Sequence, residues 1–356
     1  MSNAVMDHKC KSCGAELKFN PHGQNWKCDY CKSEFTKQEI DEYEASRGVE
    51  KLDSNAENVK VEKVDGIDEY VCNNCGARIV ADEQTSATFC VYCKNTAIIK
   101  NKLVGEFNPT KVIPFYKTKD DAVAAFKGLK KGRPFMPKEF SDKKNIDEIR
   151  GIYIPFWLYD YQIGGTLEAR ATRVKSWTSG NTRYTKTDVY KCVRGGTMHF
   201  SKIPVDGSTR FNNDIMNSIE PFDYSKLVEF SHSYLSGFLA EKYDVDATQA
   251  NNEAMQRAKN STDDILKNDI KGYSSVVRTA SSHNIAQAMN EYVLLPVYML
   301  NIKYNNKMYT FAMNGQSGKM VGDIPIDKKK AVMFFLGIFV TTIIVLSLIW
   351  FIGGKM

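Results

Sequence analysis

What the chain lacks narrows what it does. Histidine is scarce: His8, His22, His199, His232 and His283 are the five in 356 residues, and no two sit in a His-Glu-x-x-His pattern. No Gly-x-x-x-x-Gly-Lys-Ser/Thr run is present to cradle nucleotide phosphates, and no Gly-x-Ser-x-Gly elbow to present a serine nucleophile. His232 stands among serines in SHSYLSGF, yet neighbours in sequence do not make a triad. The expectation is a protein that is not an enzyme. No apolar run opens the chain, since MSNAVMDHKCKSCG has no hydrophobic core of the kind an export signal needs. Its thiols are therefore expected in a reducing compartment, where metal ligation is favoured over disulfides. Strong charge is also missing: the net value is +6, with 13 basic and 17 acidic groups in residues 1–100 against 21 and 11 in residues 101–210. The positive surplus lies away from the N-terminal part, which argues against a polyanion-binding role there.

Cysteine is what the chain does have. Eight of the nine fall into Cys-x-x-Cys pairs: Cys10/Cys13, Cys28/Cys31, Cys72/Cys75 and Cys90/Cys93. Residues 10–32, CKSCGAELKFNPHGQNWKCDYCK, align with residues 72–94, CNNCGARIVADEQTSATFCVYCK, at a constant offset of 62. The four cysteines coincide, as do Gly14 with Gly76, Ala15 with Ala77, Tyr30 with Tyr92 and Lys32 with Lys94. This is an internal duplication of a four-thiolate module. Such a module is too small to fold on its own apolar core, and a bound ion supplies the difference, about 10–16 kcal/mol for zinc at neutral pH. Four protein ligands close the coordination sphere, so two structural Zn2+ ions are expected. Four thiolates also suit iron, and the spacing alone does not choose between the metals. His8 and His22 flank the first module, where the cysteines already fill the tetrahedron. The ninth cysteine, Cys192, reads as a small buried hydrophobe in a strand.

The pattern CKSCGAELKF…WKCDYCKSEF resembles the zinc ribbons of the transcription-factor-IIB type. Followed by a long globular part and an apolar C-terminal segment, it is similar to a family of bacterial zinc-ribbon membrane proteins. That family is often labelled after the primosomal helicase PriA or phage replication proteins, and in some bacteria it accompanies phage-shock protein A and related scaffolds. The resemblance implies a place in membrane organisation or stress, with phage-shock-type scaffold proteins as partners. Its replication label implies nucleic-acid binding, an alternative disfavoured here because residues 8–35 hold only five basic and three acidic groups and no P-loop is present.

Residues 331–353 form an uncharged, mostly apolar run. As a helix of 23 residues it would span about 34 Å, enough for a hydrocarbon core of about 30 Å. Lys328, Lys329 and Lys330 precede it and only Lys355 follows, so the bulk of the chain is expected on the cytoplasmic side of the cell membrane, held by a single pass in contact with membrane lipid.

The expected domains are ribbon 1 (residues 1–35), an acidic linker (36–68) that is flexible or partly helical, ribbon 2 (69–102), an α+β domain (103–327) and the anchor (328–356). Within the middle domain, helices are predicted over 118–131 and 246–269. Strand pairs are predicted over 151–177, turning at Gly164-Gly165, and over 183–205, turning near Gly195-Gly196. Three strands are predicted over 292–326, with turns at Asn305-Asn306 and Gly315 to Gly318. YIPFWLYDYQIGGTLEAR and LLPVYMLNIKYNNKMYTFAM echo each other and suggest a duplicated helix-plus-antiparallel-sheet unit, or simply two edge strands that begin with proline. In YIPFWLYDY, Tyr153, Pro155, Trp157, Tyr159 and Tyr161 share one strand face, which reads as core ahead of a binding surface. The basic run KGLKKGRPFMPK (127–138) reads as a solvated helix end, and where it functions, as a contact for anionic lipid. Together these features predict a tail-anchored, zinc-binding adaptor that recruits protein partners at the membrane.

Overall fold

The computed structural model describes residues 9–46, 67–72, 74–82, 90–94, 98–102, 109–129, 131–210 and 213–353. The N-terminal module folds as a small antiparallel sheet, β1 (Leu17–Asn20), β2 (Asn25–Cys28) and β3 (Glu34–Phe35), followed by helix α1 (Lys37–Ser46). Thr36 starts that helix with a reciprocal cap, its hydroxyl accepting from Glu39 N while the Glu39 carboxylate accepts from Thr36 N. The predicted acidic linker is thus helical at its start, and its residues 47–66 lie outside the described part. The second module contributes β4 (Ile67–Cys72), β5 (Arg78–Asp82) and β6 (Ile98–Lys102).

Next in order come β7 (Lys111–Val112), α2 (Lys119–Leu129), α3 (Lys143–Asp147), β8 (Arg150–Ser179), β9 (Thr182–Asp206), α4 (Asn213–Ile219), β10 (Val228–Glu229) and β11 (Leu239–Glu241). The chain then forms α5 (Ala247–Asn268), β12 (Ser275–Tyr304), β13 (Lys307–Asn314), β14 (Met320–Gly322) and α6 (Lys328–Gly353). Eleven described strands make one sheet in the order β10-β7-β12-β8-β11-β5-β4-β6, with β9 also on β8, and β13 and β14 continuing from β12. The α+β class stands, with more sheet and longer strands than the sequence pattern suggests.

The largest departure concerns glycine. Gly164-Gly165 and Gly195-Gly196 do not turn; β8 and β9 run straight through them, at 30 and 25 residues. The two glycine pairs face each other across the ladder, Gly165 opposite Gly196 and Thr166 opposite Gly195. Helix α5 lies over them. A Cβ on Gly165 would collide with Thr262 Cγ2 and come within 3.3 Å of Leu266 Cδ1. These glycines serve close helix-on-sheet approach, which sequence reads no differently from a turn. The real turns are at Ser179–Thr182 and at Asn305-Asn306, both of whose residues have positive φ.

The prolines, which the alternative to a duplicated unit puts on edge strands, lie inside the central pair, β8 and β12, with Tyr153 opposite Pro296 and Pro155 opposite Leu294. Each sits where its strand changes neighbours. On β8, β11 pairs up to Tyr153 and β9 starts at Phe156; on β12, β7 pairs up to Leu294 and β13 starts at Val297. A missing N–H falls in the gap and breaks no ladder bond. Each proline carbonyl accepts from a glycine N–H at 2.8 Å, Gly207 for Pro155 and Gly315 for Pro296. The two segments share this local geometry but not the turn, and it does not by itself establish a duplicated helix-plus-sheet unit.

The aromatic strand is core. Tyr153, Pro155, Tyr159 and Tyr161 are buried, and Trp157 is half-buried. Their polar tips reach the start of α5: Trp157 Nε1 donates to Val245 O at 2.9 Å, and the Tyr161 hydroxyl donates to Asn251 Oδ1. Ala250, Ala254 and Ala258 recur every fourth residue on α5, and these small side chains let the helix settle on Tyr159, Tyr161 and Ile163. Farther out, Leu167, Ala169, Ala171 and Cys192 pack under Leu266 and Ile270. Cys192 is thus buried in an apolar cluster, as a small hydrophobe in a strand. Beyond that point β8 and β9 continue as an uncovered hairpin with Trp177 stacked on Tyr184. At 30 residues, β8 extends roughly 100 Å.

Candidate metal centres

Both modules bring their cysteines together. Cys10, Cys13, Cys28 and Cys31 form one group and Cys72, Cys75, Cys90 and Cys93 the other, each drawn from its own module, with all four sulfurs of a group within 4.8 Å of one another. Sulfur pairs stand 3.4 Å apart at Cys10/Cys31 and 3.6 Å apart at Cys13/Cys28, Cys72/Cys93 and Cys75/Cys90. These separations are far beyond a disulfide's roughly 2 Å. They are close to the edge of about 3.8 Å expected for a tetrahedron with metal–sulfur bonds near 2.3 Å.

The knuckle that sets this geometry repeats four times. After each second cysteine the chain enters the left-handed region, at Gly14, Lys32, Gly76 and Lys94, with φ of 73°, 64°, 71° and 61°. The N–H of that residue returns to the carbonyl of the first cysteine: Gly14 to Cys10, Lys32 to Cys28, Gly76 to Cys72 and Lys94 to Cys90, at 2.8–3.0 Å. Glycine suits this conformation. The two lysines do not, and their strained positions went unseen in the sequence, although the alignment of Lys32 with Lys94 was the available signal.

Four clustered thiols resist ionising together. Burial pushes the Cys90 thiol up, and the Cys75 thiol is raised for the same first reason.

 The Cys75 shift belongs to the same module, where burial outweighs its bond to the Ala77 backbone. Cys31 differs, because the Ser33 hydroxyl beside it draws it down to about 6. A divalent cation removes this conflict by binding all four as thiolates. The donor set fits a soft metal in a closed structural site, and no ligand position is left over for substrate.

The modules attach to the sheet in different ways. Ribbon 1 docks mainly through side chains, with one backbone bond from Phe19 N to Ser236 O at 3.3 Å. Trp26 is buried, its Nε1–H donates to Ser233 O at 2.8 Å, and it forms a ring cluster with Phe19 and Tyr234. Gln24 Nε2 donates to Phe115 O at 2.8 Å, and His22 contacts Asp121 at 2.8 Å across an exposed seam. Ribbon 2 is woven into the sheet, with β5 hydrogen-bonded to β11 in the register Ile79 to Glu241 and Val80 to Ala240. Its knuckles are also clamped. Arg210 donates to Cys75 O at 3.0 Å and Gly76 O at 2.9 Å, while its Nε lies 3.3 Å from Glu241 Oε1. Glu241 is fully buried, accepts from the Ser208 hydroxyl at 2.9 Å and has the Tyr92 hydroxyl beside it. Burial raises its carboxyl to about 8. On the other knuckle, Asn301 Nδ2 donates to Val91 O at 2.6 Å and Tyr92 O at 3.0 Å. Glu241, Arg210 and Asn301 were not singled out by sequence; they are distant in the chain and carry no motif.

The histidines do not assemble a catalytic centre among the described residues, and His8 lies outside them. His283 comes nearest, 3.0 Å from Asp263 Oδ1, with Arg278 and the Ser281 hydroxyl on the same carboxylate. Serine and imidazole both contact the carboxylate, so no hydroxyl is handed to a base. This cluster fastens α5 to β12.

α6 spans Lys328–Gly353, and its stretch Lys328–Ser347, with mean hydropathy 2.2, is long and apolar enough to cross a membrane, with none of it buried against the protein. Lys355 lies outside the described residues.

Fold and site together define a class: two four-cysteine knuckle modules, each able to hold a metal ion, built onto an extended, largely antiparallel sheet, followed by one apolar helix. No family model matches the chain, and no solved structure does. The chain is 34% identical over 259 residues to "Uncharacterized protein YdjG" of Bacillus subtilis (strain 168), covering 72% of this chain and 76% of that protein. It belongs to the same family as YdjG.

Proposed function

We infer that this protein is a zinc-stabilised adaptor, anchored in the cell membrane by α6 with its bulk on the cytoplasmic side, that recruits protein partners to the membrane face. Two Zn2+ ions hold the ribbons, and the ribbons hold the sheet. The observation that carries the reading is the pairing of closed four-thiolate groups with an exposed sheet arm: the metals have no open position for chemistry, and the arm presents a large uncovered surface. Trp177 at its tip is 51% exposed, in company with Tyr184, Val189 and Val193. The resemblance to bacterial zinc-ribbon membrane proteins suggests phage-shock-type scaffold proteins as the partners, in membrane stress or organisation.

Crosslinking in intact membranes, followed by capture of the full-length chain, tests the reading. Wild type is expected to retain a reproducible protein partner, and W177A/Y184A to reduce its yield several-fold. Equal yields from both would remove the arm from the adaptor reading; no partner from either would remove the adaptor itself. Nucleic-acid binding, the alternative, predicts an affinity that falls steeply between 50 and 200 mM salt, roughly 0.9 power units per phosphate contact on duplex DNA.

A further inference from the structure

The helix that enters the membrane does not leave the domain as a loose tether. Asp327 caps its start, its Oδ1 accepting from Lys329 N at 3.0 Å and Lys330 N at 3.2 Å. The Asp327 N–H donates to Phe135 O at 2.8 Å, and Lys330 Nζ donates to Met136 O at 2.6 Å. Phe135 lies against the first turns of the helix, its ring centroid 5.2 Å from that of Phe334 and 6.5 Å from that of Phe335. Met136 is buried in the same core that holds Phe140 and Phe311, and Pro137 is buried beside it. The segment Lys131–Lys138 is therefore fixed to the domain on one side and to α6 on the other.

These contacts set a depth. Phe334 and Phe335 follow Lys330 by four and five residues, which places them about 6–7.5 Å farther along the helix axis. That is about the thickness of one headgroup layer. A ring packed on both must lie at the same level. Around it, Lys131, Arg133, Lys138, Lys328 and Lys329 are all exposed, and none has a carboxylate partner within ion-pair distance among the described residues. Ile326 is exposed as well. An aromatic wedge ringed by unpaired cations, continuous with a membrane-crossing helix, has the chemistry of an interfacial lipid contact.

The geometry points to a second membrane-binding site at residues 131–138, in which Phe135 enters the interface beside α6 and Lys131, Arg133, Lys138, Lys328 and Lys329 bind the anionic headgroups of the leaflet that α6 enters. The inference rests on the reading of α6 as a membrane anchor. Its consequence is that the domain is seated on the bilayer at a fixed tilt, so that the long arm is held in one direction.

The test uses the full-length chain reconstituted in vesicles of pure phosphatidylcholine and in vesicles of phosphatidylcholine with one-fifth phosphatidylglycerol. Hydrogen–deuterium exchange is followed by mass spectrometry on peptides covering 131–138 and α6. In both vesicles α6 is expected to be protected. Peptide 131–138 is expected to exchange at least fivefold more slowly with phosphatidylglycerol present, and 0.5 M salt or the variant K131Q/R133Q/K138Q should abolish that difference. These substitutions are at exposed side chains, so the fold is retained. Protected α6 with equal exchange of 131–138 in the two vesicles would overturn the lipid site and leave the anchor standing. An α6 that exchanges freely in both, in a chain that does not float with the vesicles, would overturn the anchor and this site with it.

Discussion

The two ribbons share a spacing and differ in how they are held. Ribbon 1 keeps its own three-stranded sheet and touches the rest mainly through side chains, chiefly the Trp26–Phe19–Tyr234 cluster, with a single backbone bond from Phe19 to Ser236. Ribbon 2 gives its strands to the large sheet and has its knuckles bonded by Arg210 and Asn301. A duplicated module has thus become a docked unit in one copy and a part of the main sheet in the other. The difference predicts that losing a cysteine is felt locally in ribbon 1 and across the sheet edge in ribbon 2.

Metal loss should expose this most strongly. C72S or C90S removes a ligand from the fused copy and is expected to unfold the sheet edge through β5 and β11, lowering stability by several kcal/mol of the roughly 10–16 kcal/mol a structural zinc supplies. C10S or C28S should unfold residues 9–40 and leave β8 and β12 protected. Exchange protection of β8 together with metal content per chain distinguishes the two; equal loss of protection at β8 in both variants would break the comparison.

Docking without metal loss is the next largest effect. W26A removes a buried indole and its hydrogen bond to Ser233, and large-to-small changes of this kind cost about 3–5 kcal/mol. Ribbon 1 should then come away from the sheet with its metal still bound, so limited proteolysis near residue 36 accelerates while elemental analysis still finds two ions per chain.

The pattern of what sequence revealed follows the same physics. The two four-cysteine groups were visible because knuckle chemistry is local: the cysteine pairs and their spacing lie within about two dozen residues. The apolar helix was visible because length and composition suffice. The helix over 246–269 and the turn at Asn305-Asn306 were visible from period and dipeptide. The long strands were not, because Gly164-Gly165 reads as a break until Thr262 and Leu266 are seen pressing on it from a helix some hundred residues away. The clamp was invisible for the same reason. Glu241 in β11 and Arg210 after β9 have no local signature, and meet only because β11 lies between β8 and β5.

The clamp on ribbon 2 is expected to make that copy pH-sensitive. Glu241 has a carboxyl raised by burial to about 8 in the folded chain, against an ordinary value of 4.5. The folded state holds this proton where the unfolded state releases it, so its contribution is fully present below pH 4.5 and is lost as pH rises toward 8. E241Q cannot titrate. The stability of wild type relative to E241Q should fall by up to about 1.4 kcal/mol per pH unit across that window, measured by denaturant melts from pH 5 to pH 8. A flat difference would show that Glu241 is ionised throughout and that Arg210 holds it as a conventional ion pair.

The smallest effect separates the ribbons at their matched lysines. Lys32 and Lys94 both occupy the left-handed region that glycine fills without strain in the preceding knuckles. Replacing a strained residue there with glycine relieves about 1 kcal/mol of backbone strain, partly offset by the greater freedom of glycine in the unfolded chain. The Lys32 side chain is exposed and reaches only the Asp29 carbonyl within its own knuckle, so K32G should raise stability by about 0.5 kcal/mol. Lys94 is tied to the main domain through an ion pair with Glu148 and a contact to Asn145. K94G gives up those bonds and should show no gain or a slight loss. Paired thermal melts of the metal-loaded chain measure both. Equal gains would mean that the outward bonds of Lys94 are too weak to register, and that the fusion of ribbon 2 to the sheet rests on β5 and the Arg210 and Asn301 clamps.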